Sequence, residues 1–202
     1  MLRLAPLLLS SLLIALPATL APTASQAAAE PAVPRLPPIG LAAREKASKL
    51  LDELKEAGDT ETAQQLEQRI WSAWNSSGDK EIDTLLEEAV ALMHMQRFDD
   101  ALAVLDTIVH KAPDFTEGWN KRATLLFVMH DYAGSLADLA QVIRLEPRHF
   151  GAYAGVGLVK LTLGDRQGAI EAYGKVLGID PQNAAARASV KAIDKVLAGD
   201  PA

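Results

Sequence analysis

Apolar and small residues recur with a regular period along residues 82–183. Three prolines mark the period, because successive ones are evenly spaced in the sequence. Aligned on them, three blocks each carry a large residue at position 4 and small residues at positions 8 and 20. The blocks are 82–115, 116–149 and 150–183, and the aligned residues are Leu85, Trp119 and Tyr153 at position 4, Ala89, Ala123 and Gly157 at position 8, Ala101, Ser135 and Ala169 at position 20, and Pro113, Pro147 and Pro181 at position 32.

Within each block, apolar positions three and four residues apart predict two amphipathic helices. The small residues at positions 8 and 20 allow the two helix backbones to approach closely. The proline at position 32 ends the second helix, because the residue before a proline is disfavoured in the helical region. A single helical pair cannot bury its whole apolar face, so the pattern predicts an all-α solenoid of stacked pairs.

This pattern resembles the tetratricopeptide repeat (TPR), whose 34-residue consensus is W-x2-L-G-x2-Y, then A-x3-F, then P. The resemblance covers about half of the chain and implies a right-handed superhelical solenoid. The sequence departs from the consensus at Glu88 and Arg122, which replace the apolar residue at position 7. It also departs at Lys160, which replaces the aromatic residue at position 11. We expect these three positions to be either frayed or partly exposed.

The segments on either side of the three repeats are also predicted to be helical. Residues 41–78 form a degenerate helical hairpin in which Trp71 and Trp74 are expected to pack onto the first regular repeat, with an exposed ligand platform as the alternative. Residues 184–198 form a capping helix with a polar outer side, and Asn183 is its expected N-cap.

Residues 1–29 have the pattern of a cleavable export signal. Arg3 precedes an apolar run, and a small-x-small cleavage pattern ends at Ala27 or Ala29. The run is shorter than the ~20 apolar residues of a membrane span, so we expect removal rather than a retained anchor. Residues 30–40 contain four prolines and predict a solvated linker, either a semi-rigid spacer or a tail without a role. The mature protein is therefore expected in the periplasm.

Composition and charge exclude several classes of function. The net charge is −6 and the pI is about 5.2, which argues against a general nucleic-acid binder. The chain has no cysteine, so disulfides, thiolate metal sites and cysteine catalysis are excluded. His94 and His130 could approach each other across adjacent repeats but lack a carboxylate ligand at helical spacing. We predict no metal, no cofactor and no catalytic residue.

The TPR resemblance implies a partner-binding surface, because the first helix of each repeat lines a concave groove in this family. Block positions 2, 5, 9, 12 and 13 face the groove by this resemblance. The predicted groove residues are Leu86, Val90, Met93, Asn120, Thr124, Phe127, Ala154, Leu158 and Leu161. For Leu86, Phe127 and Leu158, burial in the inter-helix core is the alternative.

The predicted groove is a largely apolar trough with acidic edges, which suits a hydrophobic or amphipathic segment. Some family members grip a C-terminal carboxylate with basic and amide residues, but here only Asn120 and Lys121 are of a suitable type. Gly151 and Gly155 would leave the groove floor bare, so that a partner backbone could approach closely. A looser third repeat is the alternative reason for these two glycines.

The sequence therefore predicts a non-catalytic adaptor that binds a peptide or a protein surface as an assembly factor, scaffold or chaperone-like subunit. The alternative is a self-associating structural oligomer of the cell envelope, formed through the trough or the Trp71/Trp74 face. The alanine-rich character of the chain looks like that of short repeat proteins of Gram-negative bacteria. No nucleic acid and no integral membrane span after signal removal are expected.

Overall fold

The computed structural model describes residues 40–199, which form nine α-helices and no strand. The predicted all-α repeat solenoid is confirmed. The predicted export signal and nearly all of the predicted linker lie outside the described residues. The helices are α1 (Leu41–Lys55), α2 (Thr60–Trp74), α3 (Lys80–His94), α4 (Phe98–Lys111), α5 (Thr116–Val128), α6 (Tyr132–Leu145), α7 (Phe150–Thr162), α8 (Arg166–Ile179) and α9 (Ala184–Leu197).

Helices α3 to α8 form three helix–turn–helix pairs, α3 with α4, α5 with α6 and α7 with α8. Small residues lie where the two helices of a pair meet, and Ser135 Oγ donates a hydrogen bond across this contact to the Ala123 carbonyl at 2.9 Å. A Cβ atom at Gly157 would lie 2.8 Å from Tyr173 Cζ, so this position has no room for a side chain. Close approach of the backbones therefore accounts for the small residues.

The turn inside each pair uses a residue in the left-handed conformation. Gln96, His130 and Gly164 occupy equivalent positions and have φ values of 58°, 63° and 82°. After each of them, the next N–H donates to the carbonyl five residues before it, as in the C-terminal cap of Schellman type. The three repeats therefore share one turn geometry even though glycine occupies it only once.

The turn between one pair and the next also repeats its contacts. The side chains of Trp119, Tyr153 and Arg187 each donate to the carbonyl of the proline six residues before them, over 3.0, 3.3 and 2.6 Å. These residues share block position 4, counted on into the segment after residue 183. Helix α9 therefore begins in the same way as the first helix of a repeat.

Arg122, which departs from the consensus, links two of the repeats. Its guanidinium donates to both carboxylate oxygens of Asp138 at 2.7 and 2.8 Å and to Asp106 at 2.7 Å. It also lies 4.9 Å from the ring centroid of Trp119. Glu88 is exposed and Lys160 is half-buried. An ionic contact therefore replaces an apolar one at position 7 of the second repeat.

Helix α1 lies across the turns between the repeats. Arg44 donates to the Leu145 carbonyl at 3.4 Å. Arg148 donates to Asp52 at 2.6 Å. Near the end of α1, Gln182 donates to the carbonyl of Ala57 at 3.4 Å. Helix α1 thus meets the turn between the second and third repeats, and the residues just after α1 meet the next turn. The α1–α2 hairpin therefore crosses the repeats instead of stacking on α3 and α4 as a further repeat.

The hairpin shares one apolar core with the third repeat and α9. Trp74 is only 2% exposed, and its ring stacks on that of His149 with centroids 3.9 Å apart. Trp71 meets the ring of Phe150 edge to face at 5.5 Å. The expectation that the two tryptophans pack onto the first regular repeat is therefore wrong, because their partners begin α7. The other buried members of this core include Leu50, Leu51, Leu54, Ile70, Tyr173, Val176, Ala186 and Ile193.

Candidate partner-binding groove

The first helices of the three repeats, α3, α5 and α7, carry all nine predicted groove residues. They differ in exposure according to their place along the helix. Leu158 and Leu161, in the second half of α7, are 44% and 37% exposed. Thr124 is exposed as well, whereas Val90, Met93, Phe127 and Ala154 are half-buried. The open part of this surface therefore lies over the later turns of the helices.

Two of the predicted groove residues belong to the interior. Leu86 is 5% exposed and packs in the core of α3 and α4, although one edge of it reaches the surface. Asn120 is 7% exposed, and its amide donates to Glu117 at 3.0 Å. For Leu86, burial in the inter-helix core describes the side chain better than a place in the groove. The Asn120 amide hydrogen-bonds within the chain.

A cleft of about 650 Å³ lies between the end of α2 and α3, and we refer to it as the α2–α3 cleft. Its floor is apolar, with Leu86 and Val90 among the residues, and its acidic residues are Asp83 and Glu87. Ser77 Oγ donates to Asp83 at 2.6 Å and holds that carboxylate in place. The full lining is Ser72, Asn75, Ser76, Asp83, Leu86, Glu87, Val90, Ala91, His94 and Lys121.

A smaller hole of about 80 Å³ lies between α5, α6 and α7, and we refer to it as the α5–α7 hole. It is uncharged and mostly apolar. It is open because small residues stand on the facing helices. The lining is Asn120, Ala123, Thr124, Phe127, Ser135, Leu139, Gly151, Gly155, Leu158 and Val159.

Comparison with known proteins gives matches along most of the chain. Residues 54–125 and 120–184 each match the sequence profile of the tetratricopeptide repeat. A TPR repeat-containing protein of Rhizobium etli is 34% identical over 157 residues, which are 78% of this chain and 77% of that protein. The chain belongs to the tetratricopeptide repeat family.

Solved structures show the same fold as this TPR protein. The first TPR domain of Spaghetti (RPAP3), bound to the HSP90 peptide SRMEEVD, has a TM-score of 0.56 at 21% identity and covers 59% of this chain and 96% of that one. A crystal structure of MamA has a TM-score of 0.54 at 22% identity and covers 77% and 83%. These likenesses establish the fold and leave the partner open.

The TPR groove is covered at one end by the hairpin of the same chain. A Cβ atom at Gly151 would lie 2.5 Å from Trp71 Cη2. The expectation that Gly151 leaves the floor bare for a partner is therefore wrong, because Trp71 occupies that space. At Gly155, a Cβ atom would lie 3.1 Å from a methyl group of Leu139, which forms one wall of the α5–α7 hole. A partner can reach this surface beyond Trp71, over the later turns of the helices.

Beneath the hairpin, this TPR protein has a cluster of polar side chains around one buried carboxylate. Glu117 is fully buried and pairs with Lys121 at 2.8 Å and His149 at 3.5 Å. Burial raises the pKa of Glu117, but the contact with His149 and the charge of Lys121 lower it by more, so the pKa lies below its ordinary value. His149 also caps α7, since its Nδ1 accepts from the Ala152 N–H at 3.0 Å.

Within residues 40–199, no group of three or more His, Cys, Asp or Glu side chains could hold a metal ion. Over the same residues, no helix has the length and apolar character needed to cross a membrane.

The residues that the sequence reasoning missed are those supplied by the hairpin. Trp71 enters the groove from α2, and the α2–α3 cleft exists because α2 ends beside α3. The ion pair between Glu117 and Lys121 could have been predicted from the sequence, since opposite charges four residues apart on a helix face each other. Nothing in the local sequence indicated that Trp71 would reach α7.

Proposed function

We propose that this TPR protein is a non-catalytic adaptor that holds a segment of a protein partner against the open part of its groove. The observation that carries the proposal is the apolar surface of α7, where Leu158 and Leu161 are exposed beside the α5–α7 hole. Exposed apolar side chains grouped around a concave opening favour binding of another polypeptide. The related fold of Spaghetti (RPAP3), solved with an HSP90 peptide, supports the same mode of action.

The test is photo-crosslinking in cells from position 161, with and without a second change in the groove. A photoreactive amino acid replaces Leu161, and we expect a discrete adduct with a partner. Leu158→Asp in the same chain should reduce that adduct about tenfold, because a carboxylate then stands in the apolar contact. Thermal unfolding should be nearly unchanged, since Leu158 is exposed.

Position 197 provides the matched control, because Leu197 is 55% exposed on α9 and lies outside both openings of the groove. A photoreactive residue there should not yield the same adduct. An adduct at position 161 that survives Leu158→Asp in full would contradict binding through this surface.

We also propose that the protein acts in the periplasm after removal of residues 1–29. The support is the positive start, the short apolar run and the small-x-small pattern of that segment. Mass spectrometry of the protein from the cell envelope should give an N-terminus at Ala28 or Glu30. A retained Met1 on the envelope form would contradict removal.

Self-association through the same trough is the second candidate. An exposed apolar edge favours it, formed by Met95, Val128 and Leu163 at the ends of α3, α5 and α7. The Trp71/Trp74 face offers less exposed apolar surface for self-association, because Trp74 is buried inside the chain. Light scattering of the purified protein separates the two candidates, and we expect a monomer if the trough serves a different partner.

A further inference from the structure

We infer that the partner segment carries a basic side chain and, three or four residues away, an aliphatic side chain. The basic side chain enters the α2–α3 cleft and the aliphatic one enters the α5–α7 hole. This inference rests on the proposed function and specifies the chemistry of the partner.

The charges of the α2–α3 cleft select a cation. Asp83 and Glu87 line it, and its one lysine, Lys121, is held 2.8 Å from the buried carboxylate of Glu117. The charge of Lys121 is thus compensated by Glu117, and neither Asp83 nor Glu87 has a cationic partner within residues 40–199. A lysine or arginine side chain also matches the apolar floor of Leu86 and Val90, because its methylene stem packs on apolar surface while its charged end meets the carboxylates.

The same charges disfavour the free carboxylate at the end of a partner chain. A terminal carboxylate in the cleft would face Asp83 and Glu87, while Lys121 is already paired with Glu117. Like charges in a partly desolvated site repel each other. The cleft therefore accepts a side chain from within a segment rather than a C-terminus.

The α5–α7 hole selects an aliphatic side chain. The hole is small, with a volume of about 80 Å³, and no charged side chain of residues 40–199 lines it. A polar group placed there would lose its hydration without gaining an ionic partner. An aliphatic side chain would contact Val159 and Leu158 and remove apolar surface from water.

The distance between the two openings sets the spacing of the two side chains. Helix α5 contributes to both, with Lys121 in the cleft and Thr124 in the hole. The cleft lies on the α3 side of α5 and the hole on its α7 side, so their separation is somewhat more than the spacing of about 8–10 Å between neighbouring helices. An extended chain advances about 3.3 Å per residue. Roughly three to four residues of an extended segment therefore connect the cleft with the hole.

The experiment is selection of random 12-residue peptides, displayed on phage, against the purified full chain. Enriched peptides should carry Lys or Arg three or four positions from Leu, Ile or Met. The strongest is then synthesised with both ends blocked, and its affinity is measured by fluorescence anisotropy for wild type and variants. Glu87→Lys should weaken binding about tenfold, because repulsion replaces attraction.

Each variant has a matched control on the same kind of site. Glu88→Lys changes the next residue of α3, which is exposed but outside the cleft, and should leave affinity within about twofold. Thr124→Leu covers the hole and should weaken binding about tenfold. Thr107→Leu on α4, outside both openings, provides its control, since both threonines are exposed and donate to the carbonyl four residues before them. Thermal melting of all four variants establishes that they fold.

The outcomes separate the inference from the proposed function. The inferred chemistry would be overturned by enriched peptides that are acidic, by peptides that bind only with a free C-terminus, or by peptides whose affinity falls equally with Glu87→Lys and Glu88→Lys. If Leu158→Asp still abolishes the binding of such peptides, the groove remains the binding surface. If the affinity of the peptides is unchanged by Leu158→Asp, or if no peptide is enriched, the proposal that the groove is the binding surface is wrong. Enrichment of the expected spacing with the expected response of both variants supports the inference.

Discussion

At the scale of single residues, the turn inside each repeat places a side chain in a conformation that glycine adopts at lower cost. Gln96 and His130 have positive φ, as does Gly164 at the equivalent position. For a residue with a Cβ atom, the left-handed region costs about 1 kcal/mol or more. The first two repeats therefore carry a small local strain that the third repeat lacks.

Gln96→Gly is expected to stabilise the protein by about 0.5–1 kcal/mol, because it relieves this strain and removes only an exposed side chain. For a chain of this size, Tm should rise by about 2–4 °C in a thermal unfolding scan followed by circular dichroism. Gly164→Ala is the reciprocal change and should lower Tm by a similar amount. If the two variants shift Tm in the same direction, the strain is not the cause.

At the scale of helices, the sequence predicted which segments are helical better than it predicted which surfaces those helices pack against. The even spacing of the three blocks predicted the paired helices of the repeats, because size and polarity at positions 4, 8 and 20 are local requirements of close packing. Amphipathic faces likewise predicted α1 and α2. Their packing partners could not be predicted, since the contact of Trp74 with His149 joins residues far apart in the sequence. Local patterns specify which face of a helix is apolar, not which distant surface covers it.

The groove shows the same limit. Resemblance to the family indicated which helix faces line it, and exposed Leu158 and Leu161 lie on such a face. Leu86 and Asn120 lie on equivalent faces and are nevertheless buried. The difference comes from the hairpin and the core around it, because Trp71 and the chain around Ser77 lie over the first turns of these helices. A repeat pattern describes each repeat alone and omits what a neighbouring element covers.

The contact between α2 and the start of α9 makes stability depend on pH. Burial, and then the nearby carboxylate of Asp180, raise the pKa of Glu67 from 4.5 to about 7, and Asn183 donates to Glu67 at 3.3 Å and to Asp180 at 3.0 Å. The protonated form of Glu67 is thus favoured in the folded state. The contribution of protonated Glu67 to the free energy of unfolding is fully present below about pH 4.5 and is lost as the pH rises through 7.

Glu67→Gln should therefore stabilise the protein at pH 8 and have no such effect at pH 4.5, since glutamine resembles the protonated acid. We expect a gain of about 1 kcal/mol at pH 8, reduced from the full linkage value because Glu67 is half-buried. Urea unfolding at both pH values measures the difference. Glu88→Gln changes an exposed carboxylate in the middle of α3, away from the charged end of a helix, and its effect should hardly vary between the two conditions. A gain from Glu67→Gln at both pH values would refute the linkage.

At the scale of the whole molecule, the hairpin changes how the repeats unfold. Stacked repeats ordinarily contact only their neighbours, so that unfolding can proceed from one end. Here the hairpin contacts the turns beside Leu145 and Gln182 and shares a core with α7, α8 and α9. Loss of the hairpin would expose the apolar residues of this core. We therefore expect residues 40–199 to unfold as one cooperative unit.

Trp74→Ala tests this cooperativity. Removing a buried tryptophan should cost about 3–5 kcal/mol, and the transition should remain a single step, with tryptophan fluorescence and circular dichroism giving the same midpoint. Val196→Ala, at a side chain 39% exposed on α9, should cost less than about 0.5 kcal/mol. Separate midpoints for the two probes would show that the hairpin and the repeats unfold independently.

The placement of α1 also restricts how this protein can change by duplication. In most solenoids a repeat can be gained or lost without harm, because every junction is equivalent. In this chain, the hairpin meets the turn near Arg148 through Asp52 on α1 and the turn near Gln182 through Ala57 just after α1, so the length of α1 is matched to the distance between these turns. An inserted repeat would move one of these turns out of reach. The copy number of three is thereby coupled to the length of a helix that precedes the repeats.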